Sequence, residues 1–217
     1  MVRQARSEAT RQKIIDSAVD LINEIGYPAA GLADIIERAE MTKGALYYHF
    51  DSKEALATTI IEDGGARVLG AFQTAGRSGS PALENIVHGL FMVADVIHND
   101  NIAQAASRLL RTFGGFNTAA KTTYAVLVDA MTERVTTAAK EGDLRSDVDP
   151  ELMGRTIVGA MLGAELLSAA LSDGNDLTKQ IANTWEVLLP AIVQADSLGY
   201  YLEFLARQSS RASTVRP

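Results

Sequence analysis

The sequence predicts an all-α protein of nine or ten helices, and three observations carry that prediction. Apolar residues recur at the three- and four-residue spacing of a helix face along most of the 217-residue chain. The alternating pattern of a half-buried strand is nearly absent. Glycine and proline lie mainly where the periodic segments end or begin, which is where they stop or start helices.

The N-terminal quarter predicts three short helices followed by a longer one. Apolar residues from Ile14 to Ile25 share one helix face, and Gly26 ends that helix. A second segment covers residues 32–39, and the stretch TKGALYYHF at 42–50 forms the third. Asp51 and Glu54 have capping-box spacing, so we expect Asp51 to cap a helix that runs to about residue 72.

The rest of the chain predicts six further helices after a Gly/Ser-rich linker at 76–80. Two of them begin with a capping residue followed by proline, at Ser80-Pro81 and Asp149-Pro150. Pro190 lies inside a periodic segment, so we expect a kink or break there. The predicted helices span about 81–98, 101–113, 118–140, 150–171, 176–194 and 198–207.

Composition favours a cytoplasmic, non-enzymatic protein without a cofactor. There are no cysteines, so disulfides and cysteine-based zinc sites are excluded. No apolar run approaches the roughly 18 residues of a membrane span, and the N-terminus lacks the apolar core of a signal peptide. The three histidines form no metal-ligand cluster, and no Ser/His/Asp catalytic set or phosphate loop is found. We therefore predict no metal and no catalytic residue.

Charge is distributed unevenly along the chain. The net charge is −7, yet residues 1–13 carry four basic side chains against Glu8 alone. A basic arm on an acidic body could contact phosphate at one end. A solvated, disordered N-terminus explains the same charges equally well.

The three short helices have the dimensions of a helix-turn-helix. In that motif the second helix of the pair enters the major groove of DNA. Thr42 would cap this helix and Gly44 would let its backbone approach closely, while Lys53 would hold the flanking phosphate backbone. The predicted DNA-binding residues are Arg3, Arg6, Arg11, Thr42, Lys43, Gly44, Tyr47, Tyr48, His49 and Lys53. Each has a more ordinary explanation, such as a core tyrosine or a surface histidine, so the prediction rests on the set.

Residues 10–56 closely resemble the DNA-binding domain of the TetR family of bacterial regulators. The sequence TKGALYYHFDSKEAL is the most specific part of that resemblance. The other residues that carry it are Ile14, Ala18, Leu21, Gly26, Tyr27, Leu32, Ile35 and Ala39. The resemblance implies a homodimer that reads a palindromic double-stranded DNA operator. It also implies a helical C-terminal domain that dimerises and binds a small effector.

Two features refine the resemblance. Glu40 stands where the family usually has glycine, so a positive φ there would cost about 1 kcal/mol, and its charge would repel phosphate. The segments RQARSEATRQKIIDSAVDLINEIGY and GDLRSDVDPELMG also resemble γ-butyrolactone receptors, a TetR subgroup. That subgroup has a pocket tryptophan at about the place of Leu127, whereas the only tryptophan here is Trp185.

The C-terminal half contains candidate dimer and ligand residues. Glycines within the 150–171 helix suggest close helix packing, and in TetR-like proteins two helices near this position form a four-helix bundle with the partner. The predicted dimer residues are Gly159, Gly163, Leu166, Trp185, Leu188 and Ile192. The predicted ligand residues are Phe91, Phe113, Phe116, Tyr124, Leu127, Val128, Met131, Met161 and Glu165, mostly apolar with a few polar tips. Ordinary packing within one chain is the alternative for both sets.

The predicted function is a homodimeric DNA-binding repressor that a small apolar or amphipathic effector releases from its operator. Residues 1–55 would form the DNA-binding domain with its basic arm, 56–208 the ligand-binding and dimerisation domain, and 209–217 a disordered tail. Two alternatives stay open: a regulator that binds DNA without any effector, and a helical small-molecule-binding protein that no longer binds DNA.

Overall fold

The computed structural model describes residues 2–75, 79–115 and 117–214 of the chain. It confirms the all-α prediction, because this part of the chain forms ten helices and only an isolated bridge between Leu144 and Val193. The helices are α1 (Val2–Ile25), α2 (Leu32–Arg38), α3 (Lys43–His49), α4 (Lys53–Ala75), α5 (Ala82–Asn99), α6 (Asn101–Phe113), α7 (Thr118–Glu141), α8 (Pro150–Ser172), α9 (Leu177–Ile192) and α10 (Ala195–Thr214).

Local capping chemistry explains several helix ends. Gly26 follows α1 with a φ of 80°, a left-handed conformation that glycine adopts without strain. The Asp149 carboxylate accepts from the Glu151 N–H at 2.9 Å, directly ahead of Pro150. The capping prediction at α4 was wrong by one residue, because Ser52 Oγ accepts from the Ala55 N–H at 3.0 Å. Pro190 does not break α9, which ends two residues later at Ile192.

The chain divides into two compact units. Unit 1 comprises the described residues of Met1–Val68 and Asn99–Thr123, and unit 2 those of Leu69–His98 and Tyr124–Pro217. The predicted boundary after residue 55 therefore falls within the continuous helix α4, and α6 belongs to unit 1. The reason is long-range packing: α6 lies against α1, where the Asn23 amide donates to the Asn101 carbonyl at 2.9 Å.

Within unit 2, α9 packs against both α8 and α10. The loop between α7 and α8 is tied to the end of α9, since the Arg145 N–H donates to the Ile192 carbonyl at 2.8 Å. The Tyr200 hydroxyl donates to the Glu84 carboxylate, which joins α10 to α5. The loop segment GDLRSDVD, residues 142–149, therefore connects the end of α7 to the end of α9 through backbone hydrogen bonds.

Two observations concern the C-terminal helices. Residues 209–214 belong to α10 instead of the predicted disordered tail, because the helical pattern continues past Arg207.

Within the described part of the chain, α8 alone is long and apolar enough to cross a membrane by length and composition. A helix packed inside a helical bundle meets the same criterion, and α8 packs along α9.

Candidate functional site

Helix α3 is held in place by its N-terminal cap and its buried apolar residues, and its other face is polar. Thr42 precedes it in an extended conformation, and its hydroxyl accepts from the Ala45 N–H at 3.2 Å. Leu46 and Phe50 are buried, and α3 packs against both α1 and α2. This packing orients the opposite face of α3 to solvent, as the helix-turn-helix prediction requires.

The solvent face of α3 carries hydrogen-bonding and cationic groups. Tyr48 is 76% exposed and Tyr47 is 43% exposed, although large aromatic side chains usually lie inside a fold. Lys43 Nζ lies 5.8 Å from the centroid of the Tyr47 ring, and the Tyr48 and half-buried His49 rings meet edge to face. A Cβ on exposed Gly44 would meet only the Thr42 hydroxyl, at 3.9 Å, so packing within the chain does not require glycine there.

The remaining basic residues of the predicted DNA-binding set differ in their exposure and in their contacts within the chain. Arg6 is exposed on α1, and the side chain of Arg3 lies outside the described residues. Arg11 is half-buried, with its guanidinium 5.4 Å from the Phe50 ring centroid. Lys53 donates to the Tyr27 carbonyl at 2.5 Å and sits over the Tyr27 ring, and burial lowers its pKa. Lys53 therefore holds the exit of α1 in place, a structural role that the sequence did not reveal.

Glu40 lies in the turn between α2 and α3. Its φ is 52°, so the positive φ considered from the sequence is present. Its carboxylate accepts from Lys13 Nζ at 3.1 Å, which couples the turn to α1. Lys13 was counted as part of the basic arm but was not a predicted site residue. Its pairing partner is 27 positions away, and only the fold brings the two together.

The predicted ligand residues are divided between the two units. Phe113 lies in unit 1, with its ring 4.8 Å from that of Tyr27 and edge to face with it. In unit 2, Phe91, Met131, Met161 and Glu165 are buried, whereas Tyr124, Leu127 and Val128 are half-buried. Phe116 lies outside the described residues. Of the predicted set, only Met161 lines a small cavity between α5, α8 and α9, and the assignment of the others stays a prediction.

Some of the predicted dimer residues are buried within their own chain, and others are exposed. Trp185 and Ile192 are buried within their own chain, at 1% and 2% exposure. They are corrected to core residues, because the apolar stripe of α9 packs inside unit 2. Gly159 and Leu166 are exposed on α8, and a Cβ on Gly159 or Gly163 would meet nothing within 4 Å. Leu188 is half-buried.

The exposed apolar surface of α8 and α9 is larger than the predicted dimer residues alone. We call it the α8–α9 face; its large exposed residues are Leu152, Leu166, Leu167, Leu171 and Val187. Several large apolar side chains exposed on two packed helices indicate an interaction surface. The signal was present in the sequence as a second apolar face of α8, but periodicity could not show which face the chain covers itself.

Two family models match most of the chain. The model for bacterial regulatory proteins of the TetR family matches residues 14–60, which include α2 and α3. The model for the tetracyclin repressor-like C-terminal domain matches residues 80–194, more than half of the chain.

The chain belongs to the TetR family.

This TetR-family chain is similar to several γ-butyrolactone receptors and related regulators. It is 32% identical over 192 residues to the A-factor receptor protein of Streptomyces griseus, covering 88% of this chain and 67% of that relative. A crystal structure of an ArpA-like γ-butyrolactone receptor superimposes with a TM-score of 0.80 at 26% identity, covering 95% of this chain and 99% of the other. CprB from Streptomyces coelicolor, in complex with its biological operator sequence, gives a TM-score of 0.77 at 27% identity over 95% and 99% of the two chains.

The suspected likeness to γ-butyrolactone receptors is therefore confirmed. As a TetR-family protein, the chain is a transcriptional regulator that binds operator DNA as a homodimer and is controlled by a small molecule. The same membership places the protein among transcriptional regulators, as the matched family description states.

Replacing Glu40 tests the backbone strain and the charge of this TetR-family turn separately. Glu40→Gly and Glu40→Gln both remove the carboxylate that pairs with Lys13, but only glycine relieves the left-handed backbone. In urea denaturation, we expect the free energy of unfolding of Glu40→Gly to exceed that of Glu40→Gln by about 1 kcal/mol. Equal stabilities would show that the turn holds glutamate without strain.

Proposed function

We propose that this regulator is a repressor whose operator complex is released by a small apolar or amphipathic effector of the γ-butyrolactone class. The observation that carries the proposal is the similarity to the A-factor receptor protein along 88% of the chain, which includes both the helix-turn-helix and the C-terminal helices. Identity of 32% supports the ligand class without identifying the ligand. We place the protein in the cytoplasm, together with the DNA it binds.

We assign DNA recognition to the exposed face of α3. Lys43, Tyr47 and Tyr48 are free of the core, and their polar tips suit phosphates and base edges. Gly44 and the Thr42 cap leave the N-terminus of α3 open to a phosphate. Arg6 and Arg11 on α1 supply further positive charge, whereas the Lys53 ammonium is already bound to Tyr27 and supports the motif from inside.

We assign dimerisation to the α8–α9 face. In a two-fold symmetric dimer the same patch meets its own copy, so one apolar face per protomer is sufficient. The glycines at 159 and 163 leave room for close approach of a partner helix, since a Cβ at either position would meet nothing within 4 Å in the described part of the chain. Residues 1–55 would then contact DNA and 56–208 would supply the effector site and the dimer contacts.

Lys43→Ala tests the assignment of α3. The homodimer loses one charge-assisted phosphate contact per protomer, each contributing about 1–2 kcal/mol. We therefore expect operator affinity to fall at least about thirtyfold. The slope of log affinity against log salt should also fall by about 2, one for each protomer. Fluorescence anisotropy with the protein's own upstream intergenic DNA, at several salt concentrations, measures both.

The matched control is Lys179→Ala, which removes an exposed lysine from α9 in unit 2. It should leave the affinity and the salt slope unchanged. A scrambled duplex measures the sequence-independent part of binding. If Lys43→Ala and Lys179→Ala behave alike on a duplex that the native protein binds selectively, α3 is not the reading helix.

A further inference from the structure

Glu40 places an exposed negative charge beside the helix to which we assign DNA recognition. Its side chain is 82% exposed, and it lies two residues before Thr42, the N-cap of α3. Two residues span at most about 7 Å, whereas charges in physiological salt interact over about 8 Å. The N-terminal residues of the second helix of a helix-turn-helix meet the DNA. The carboxylate of Glu40 therefore acts on the phosphates that α3 approaches.

The backbone of the turn fixes the position of Glu40. Its N–H donates to the Glu37 carbonyl at 3.0 Å, and the Met41 N–H donates to the Ile36 carbonyl at 3.1 Å. These two bonds form a Schellman motif at the end of α2, which requires a left-handed residue at the position of Glu40. The φ of 52° at Glu40 is that left-handed conformation. The side chain therefore leaves the turn in a set direction, and its carboxylate meets Lys13 of α1.

Lys13 is the cation that this carboxylate binds. Its Nζ donates to Oε2 of Glu40 at 3.1 Å, and the lysine side chain is 45% exposed. The next two residues of α1, Ile14 and Ile15, are fully buried and fix the position of the lysine backbone. Lys13 is therefore an accessible cation at the edge of the helix-turn-helix, but its charge is already paired within the chain.

Stability alone does not account for the pair between Lys13 and Glu40. An exposed ion pair contributes little to folding, and a left-handed backbone costs a residue other than glycine at least as much. A glycine at position 40 would remove the strain and would lose only the pair. The pair therefore adds little net stability, and its main effect is on the charge beside α3.

DNA phosphate competes with this carboxylate for the same ammonium group. Carboxylate and phosphate oxygens are both anionic acceptors of charge-assisted hydrogen bonds. While Glu40 holds Lys13, the lysine does not neutralise a phosphate, and the DNA releases no counterion on its account. Phosphate contacts supply affinity without sequence information, whereas base contacts supply selectivity. Pairing Lys13 therefore lowers the affinity for any duplex and leaves the reading of bases unchanged.

We propose that Glu40 is an internal competitor of DNA phosphate, which holds Lys13 off the DNA backbone and weakens binding to every duplex by a similar factor. Lys13 is in consequence a latent phosphate contact of the regulator. The proposal rests on the proposed assignment of DNA recognition to α3. The two residues are 27 positions apart and meet only in the folded chain, so neither was among the predicted DNA-binding residues.

A salt series on four proteins tests the proposal: the native chain, Glu40→Gln, Lys13→Gln and the double variant. Fluorescence anisotropy is measured with the upstream intergenic duplex and with a scrambled duplex. We expect Glu40→Gln to bind both duplexes at least about tenfold more tightly, because each protomer gains one charge-assisted phosphate contact. The slope of log affinity against log salt should steepen by about 2, one for each lysine released.

The dependence on Lys13 decides between a phosphate contact and simple repulsion. In the Lys13→Gln background, Glu40→Gln removes only repulsion. The affinity gain should therefore be at least about fivefold smaller than with Lys13 present, and most of the steepening should be lost. Equal gains with and without Lys13 would overturn the proposal, because the carboxylate would then act by repulsion alone.

Two further variants separate the pair from the backbone and from net charge. Glu40→Gly also removes the carboxylate but relaxes the turn, so it should reproduce the gain of Glu40→Gln. A gain with glycine alone would assign the effect to the backbone and contradict the proposal. Glu203→Gln releases Arg207 from a similar exposed pair on α10 in unit 2. It should leave affinity and slope unchanged, and the same gain there would show that net charge alone is responsible.

The scrambled duplex keeps this test separate from the proposed function. Failure of an effector to release the operator would contradict the effector-controlled repressor. That failure would not affect the Lys13-dependent gain, which is expected on either duplex. An effector-released operator complex without the gain would uphold the repressor and overturn the role of Glu40.

Discussion

Val187→Glu is expected to convert the homodimer to monomers and to lower operator affinity at least about a hundredfold. Val187 is 74% exposed in the protomer, so the change leaves the core of unit 2 intact. Two-fold symmetry places two carboxylates in the apolar interface, and each uncompensated buried charge costs about 3–5 kcal/mol. A tenfold loss of affinity requires only about 1.4 kcal/mol. Analytical ultracentrifugation and operator anisotropy measure the two consequences.

The control for Val187→Glu is Val126→Glu. Val126 lies on α7 and is 40% exposed, so it tests the same chemistry outside the α8–α9 face. We expect that variant to remain dimeric and to bind operator with native affinity. Should Val187→Glu stay dimeric and Val126→Glu dissociate, the interface would have to be reassigned to α7. Circular dichroism of both variants checks that the helices are retained.

Gly64→Ala is expected to lower the free energy of unfolding by about 2–3 kcal/mol. A Cβ on Gly64 would lie 2.2 Å from the Ala106 Cβ and 2.8 Å from the Ile102 carbonyl oxygen, where α4 crosses α6 inside unit 1. Overpacking against backbone forces the helices apart and usually costs about 1–3 kcal/mol. The higher helix propensity of alanine, worth up to about 1 kcal/mol, offsets only part of a clash this close. For a chain of this length the melting temperature should fall by roughly 4–12 °C.

Gly70→Ala on the same helix is the matched control. A Cβ there would meet nothing within 4 Å, so the substitution should raise the free energy of unfolding by up to about 1 kcal/mol through helix propensity. Both proteins must be compared at one concentration, because the stability of a dimer depends on it. If both alanines stabilise the protein, the close crossing of α4 and α6 is incorrect.

Local interactions account for what the sequence predicted well. The Asp149 cap with Pro150 and the Gly26 stop depend on residues within one turn of the helix end, and both appear in the structure. The positive φ of Glu40 was considered as a condition from the sequence, and the structure shows it in the turn that precedes α3. One cap was misplaced, since Asp51 and Ser52 are both good capping residues and only their backbone conformation distinguishes them.

The sequence by itself determined the helix content, most helix ends, the family and the residues on the exposed face of α3. These features depend on the periodicity of apolar residues and on hydrogen bonds between residues that are close in the sequence. Only the tertiary structure decided that α6 joins unit 1, that Lys53 binds the Tyr27 carbonyl, and that Trp185 points inward while Val187 points outward. The physical reason is that α8 and α9 have apolar residues on more than one face. Which face is buried depends on helices far away in the chain, and these meet only when it folds.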